Sequence, residues 1–164
     1  MSSHLLRGLG AVALASGLML GCAHTTYRAP APTVANNGVA LSVVSGQRCF
    51  VTRDSERLPP PTNDNRVHVR VTVQIENDSP GVVGVAPERV RLTAQERGPA
   101  RTEIAPMGSA ELSLQPGESR ILPLDFAGPG PVACGQPLAL DPRDALDVDG
   151  RSVVLPPVRL VAVR

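Results

Sequence analysis

Twelve residues in the middle of the chain, RVHVRVTVQIEN from Arg66 to Asn77, alternate between polar and apolar almost to the end. Val67, Val69, Val71, Val73 and Ile75 take one set of positions, and Arg66, His68, Arg70, Thr72, Gln74 and Glu76 take the other. In an extended chain successive side chains point to opposite faces, so five aliphatics share one side and six polar residues the other. A helix would scatter the same residues around its whole circumference. The stretch is therefore a half-buried strand, and a sheet with one wet face is built from antiparallel neighbours.

Further strands are predicted on both sides. VALSVV (Val39 to Val44) and RCFVT (Arg48 to Thr52) are β-favouring runs, and others pass through Val90, Leu92 and Ala94, through Leu112 and Leu114, and through Leu122, Leu124 and Phe126. The last runs from Val158 to Val163. Between them lie turn signals: NDSPG after Glu76, Pro116-Gly117, and Asp149-Gly150, the pair preferred in type I′ hairpins. Pro59-Pro60-Pro61 rules out helix or ladder in the polar loop that follows Thr52. Residues 95–108 and the Gly/Pro-rich stretch 128–142 read as irregular. No segment keeps a helical period. Seven to nine short antiparallel strands make an all-β chain, a β-sandwich with a small barrel as the alternative.

The chain begins MSSHLLR and is then apolar from Gly8 to Leu20. As a helix that run would be about 20 Å long, against about 30 Å of hydrocarbon in a bilayer, and its flanks are those of a secretory leader. It stops at Met19-Leu20-Gly21-Cys22, which resembles the bacterial lipoprotein signal, the lipobox. The resemblance implies cleavage before Cys22, acylation of that cysteine, and anchorage in a bilayer through its lipid chains. Ala23, where an Asp would retain the protein at the inner membrane, implies sorting to the outer membrane. The competing reading is an uncleaved anchor with an incidental cysteine. The domain plan is thus a signal peptide over 1–21, a lipidated tether over 22–38 and a β-domain over 39–164. AHTTYRAPAPTVANNG shows no apolar period, and as a flexible tether it would reach roughly 20–25 Å with His24 and Tyr27 in solvent.

With Cys22 carrying lipid, Cys49 and Cys134 remain as an even pair in an oxidising compartment. A disulfide between them would close a loop of about 86 residues, worth about 4–5 kcal/mol in the chain-entropy treatment. The alternative is two buried thiols acting as small hydrophobes. VTVQIENDSPGVVGVAPERVRL followed by LSLQPGESRILPLDF resembles the immunoglobulin-like and telokin-like domains of secreted bacterial lipoproteins, where a strand ending in Asn-x-Ser precedes a Pro-Gly turn and a strand ending in Phe. The resemblance covers about half of the domain and implies fold and export; it brings no catalytic residue.

Every basic residue is Arg, and after Arg7 their number equals that of the 15 acidic residues. A balanced chain has no overall pull on nucleic acid or anionic lipid, and no nucleic-acid partner is expected. There is no Trp, one Tyr and two Phe, so stacking platforms for sugars or single strands are missing. No metalloprotease, nucleophile-elbow, P-loop or dinucleotide motif occurs. Asp147, Asp149 and Gly150 fit three positions of a calcium loop, but Ala145 and Pro156 fail at its ends. No metal, cofactor or catalytic residue is therefore assigned. The expected role is a non-catalytic envelope module that binds or supports another protein, with the polar face Arg66, His68, Arg70, Thr72, Gln74 and Glu76 as the docking candidate. The alternative is a hydrolase or metal-handling protein that assembles His68 with the aspartates between Asp141 and Asp149.

Overall fold

A computed structural model describes residues 25–44, 47–53, 65–95, 101–107, 110–128 and 134–163. The leader, Cys22 with its two successors, and the proline loop lie outside the described residues. What is described is all-β and antiparallel, as expected. The long alternating stretch is β5, Asn65–Asn77. It buries Val69, Val71, Val73 and Ile75, and Asn77 ends the buried row. Along one side β5 pairs with β10, Ser119–Gly128, from Ser119 opposite Glu76 to Gly128 opposite Val67. Leu124 and Phe126 of β10 thereby fall beside Val71 and Val69 on the inner face. The other side of β5 is shared by β3, Val39–Val43, and β4, Gln47–Arg53.

The ladders return to their origin. From β5 they pass through β4 to β1, Thr25–Arg28, then to β14, Val158–Val163, and β11, Leu138–Asp141. They continue through β7, Arg91–Gln95, and β8, Arg101–Pro106, which rejoins β10. Eight strands thus form a closed ring of ladders. Strand β2, Thr33–Asn36, extends from β3 as a flap. A second sheet orders β13, Arg151–Ser152, β12, Leu146–Val148, β6, Val83–Val85, and β9, Leu112–Leu114. One 3-10 turn, Pro87–Arg89, joins β6 to β7. Ring and second sheet share one apolar cluster, in which Leu92, Leu140 and Leu160 of the ring and Val83 and Leu114 of the second sheet are wholly buried.

Three expectations are corrected. Residues 25–38 are no tether: β1 lies between β14 and β4, and β2 pairs with β3. Tyr27, expected in solvent, is only 1% exposed, and its hydroxyl accepts a hydrogen bond from the Gly135 amide at 2.9 Å. Its ring is the largest wholly buried side chain described, so Thr-Thr-Tyr-Arg holds its place by filling the core. The stretches read as irregular contain β8 and β11, each held by ladders on both sides.

Cys49 and Cys134 form a disulfide with Cα atoms 5.8 Å apart, tying β4 to the segment before β11. The ring has two distinct ends. At the near end, where the chain enters β1 at Thr25, lie Val163, the Arg53–Asn65 pair and the Gln95–Arg101 pair. At the far end are the turns after Asn36, Asn77, Gln115 and Val148.

Candidate functional site

From His68 to Glu76 the polar residues of β5 share one outward face. Opposite Thr72, Gln74 and Glu76, β10 presents Pro123, Ile121 and Ser119. On the other flank β3 places Ser42 beside Gln74 and Ala40 beside Glu76. Arg70 meets Asp125 in a two-pronged pair, Nε to Oδ1 at 2.7 Å and Nη2 to Oδ2 at 3.0 Å. The hydrogen bond to Asp125, and then its charge, raise the Arg70 pKa above its ordinary value. Gln74 Nε2 donates to Glu76 Oε1 at 2.7 Å. Arg70 and Glu76 are thus each held by a neighbour on the face, and an uncovered aliphatic sits beside them: Ile121 is 59% exposed. The Arg66 and Phe50 side chains lie outside the described set.

Beside this face a recess of about 270 Å³ is lined by His68, Val69, Arg70, Met107, Asp125 and Phe126. Met107 is 52% exposed, and its amide donates to the Asp125 carbonyl at 2.6 Å. Asp125 is the one carboxylate in the recess, and Arg70 already holds it. The aspartates between 141 and 149 are placed elsewhere. Asp141 accepts from the Arg143 amide and pairs with its guanidinium at 3.0 Å. Asp147 accepts from the Gly150 amide at 2.8 Å, and Asp149 from the Val82 amide at 3.0 Å. The Asp141 and Asp147 bonds are turn bonds, of the kind short carboxylates make to nearby backbone, and the Asp149 bond ties its turn to the chain just before β6. Among the described residues no group of three or more His, Cys, Asp or Glu side chains is placed to hold a metal ion.

At the far end a groove of about 380 Å³ runs between three turns, lined by Asn37, Ser79, Pro80, Val148, Asp149, Arg151, Ser152 and Val153. Asn77 supports it from below. Its Nδ2 donates to the carbonyls of Gly81 at 2.8 Å and Leu114 at 3.0 Å, and its Oδ1 accepts from the Ser79 amide and hydroxyl at 2.9 and 2.6 Å. Its own amide donates to the Glu118 carbonyl and its carbonyl accepts from the Gly117 amide. Fully buried, Asn77 acts as the pin of the turns. The Asn-x-Ser signal was visible in the sequence; that it pins turns required the fold. Ile121 was missed because an aliphatic at an outward strand position looks like any other aliphatic until the face is assigned, and Met107 because it lies just past β8 in a stretch read as irregular.

Among the described residues no helix is long and apolar enough to cross a membrane. Compared with known proteins, the chain matches no family model and no curated sequence.

Proposed function

We propose that this chain is an exported lipoprotein, held in the outer membrane through acylated Cys22, whose β-domain binds or supports another envelope protein without catalysis. Its docking surface is the outward face of β5 and β10. The observation that carries the reading is Ile121, left 59% exposed among Pro123, Thr72 and Gln74 on a face where Arg70 is paired with Asp125 and Glu76 accepts from Gln74. An aliphatic rimmed by neutral polar groups suits a protein partner, since interface cores are depleted in unpaired charge. The Cys49–Cys134 disulfide supports an oxidising compartment, and hence export. The architecture is read as an immunoglobulin-like sandwich whose layers are joined at their edges. Support for this comes from the unequal seams: among the described residues β8 pairs with β10 at Pro106 and Ala105, with the Met107 amide on the Asp125 carbonyl beside them, whereas β5 and β10 pair over most of their length.

The test is a photo-crosslinking residue at Ile121 in intact envelopes, compared with the same residue at Val154. A defined adduct from Ile121, absent from Val154 and lost in Gln74→Arg, is expected. Equal adducts from both positions, or none, defeat the docking face. Cys22→Ala is expected to abolish lipid labelling and leader processing; unchanged labelling defeats the anchor.

A further inference from the structure

The geometry points to a fixed orientation of the domain on the bilayer: the near end rests against the lipid headgroups, and the far end with its groove is presented away from them. This inference rests on acylation at Cys22. Its new element is β1. If residues 22–38 were a tether, the domain would sample every orientation. Instead the ladder begins at Thr25, which pairs with Cys49, and the next residue pairs with Val163 and Arg48.

Only Ala23 and His24 separate Cys22 from that first paired residue. Three residue steps, fully extended, span at most about 10–11 Å. The acyl chains fill the hydrocarbon, and the headgroup layer outside it is about 5–7 Å deep on each side. On neighbouring β4 the chain runs on past Cys49, the partner of Thr25, to Arg53 opposite Asn65, about 13 Å further, so the near end reaches the headgroup layer and leaves no room for another protein or for free tumbling. Thr25 cannot drift from the ring, because β1 is bonded on both sides and Tyr27 is buried within it. The disulfide fastens β4 at Cys49, directly opposite Thr25. From Thr25 onward the attachment is therefore fixed to the core.

The near end then meets the headgroups through Thr26 and Val163, both exposed, and through the chain ends of β4, β5, β7 and β8. The 13 residues of β5 run away from it, and at about 3.3 Å per residue with a barrel-like tilt they lift the far end by roughly 30–40 Å. The far end, with its groove at Asn37, Ser79 and Arg151, thus faces the space above the membrane and not the bilayer.

The chain contains no Trp, so one introduced at a time is a unique reporter. The experiment uses the full, lipidated chain in vesicles of phosphatidylethanolamine and phosphatidylglycerol containing brominated lipid. Val163→Trp at the near end is expected to lose most of its emission to the quencher, and Val154→Trp at the far end to keep it. Thr26→Trp replaces Val163→Trp should the latter fail to fold. A flexible Gly/Ser spacer inserted after Ala23 is expected to restore the near-end emission. If the protein does not float with the vesicles, the lipid anchor and this orientation both fall. If it floats but the two positions are quenched alike, the orientation alone is overturned. Stronger quenching at Val154 overturns it as well.

Discussion

The Asn77 side chain uses both its donor hydrogens and its acceptor oxygen inside the protein, on Gly81, Leu114 and Ser79. Truncation would leave buried carbonyls and an amide without partners, each costing about 1–3 kcal/mol unless water replaces the lost group. Asn77→Ala is therefore expected to lower stability by about 2–4 kcal/mol in urea titrations. Asn77→Asp makes a sharper test, since it sets a carboxylate against two carbonyl oxygens. Burial and those dipoles would raise its folded pKa above the unfolded value, so stability would be best in acid and lost as pH rises. Tyr27 gives a native counterpart. Burial raises its pKa above the ordinary 10.0, and the Gly135 hydrogen bond only partly opposes this. A raised folded pKa means that the stabilising contribution is intact below pH 10.0 and lost as pH climbs through the folded value. Because Tyr27 is the single tyrosine, tyrosinate absorbance is expected to appear together with alkaline unfolding, in one transition. Tyr27→Phe should remove that signal and cost about 1 kcal/mol at neutral pH.

At the scale of strands, the disulfide links the edge of β4 to the approach to β11 across 85 residues of sequence. Replacing both Cys49 and Cys134 by Ser is expected to lower stability by about 2–5 kcal/mol, read as a shifted urea midpoint. Gly38 joins two other elements. At φ +75° a Cβ there would come within 2.9 Å of the Ser79 Cα, so Gly38→Val is expected to destabilise by both strain and clash, by about 2–3 kcal/mol. Which strands could be read in advance follows from their burial. β5, β3, β10 and β14 bury one face and repeat apolar residues at every second position, so pattern alone found them. β1 and β2 could not be found that way: TTYR and TVAN are short and largely polar, Pro30 and Pro32 stand between them, and the ladders of β1 are chosen by neighbours far away in sequence. Asn37-Gly38 was the available signal, since both residues have positive φ and Asn-Gly is the favoured type I′ pair. The same holds for β8 and β11, whose few residues are strands because partners on both sides require them. At the candidate face, alternation assigned the β5 residues correctly to one side. It could not supply Ile121 or Asp125, because which strand lies beside β5 is a matter of topology.

For the whole molecule, the placement of β1 changes what truncation should do. Removing residues 25–38 would be harmless if they formed a tether. With β1 in the ring, the deletion opens ladders on β14 and β4 and empties the site of the Tyr27 ring. Loss of cooperative unfolding is expected, followed by circular dichroism during heating, and a normal transition in the deleted chain would contradict the ring. Strand β1 is also made first and finished last. Its Thr26 waits for Val163, the far extreme of the described chain, and pairings of such separation form slowly. A nascent or partly translocated chain thus holds an unfilled slot between β1 and β11 until β14 arrives. Any product cut short of Val158 leaves that slot open, with raw strand edges on either side, and such edges attract proteases and aggregation partners. Strand β14 thus acts as the closing piece: only a chain that has reached Val158–Val163 can shut the ring.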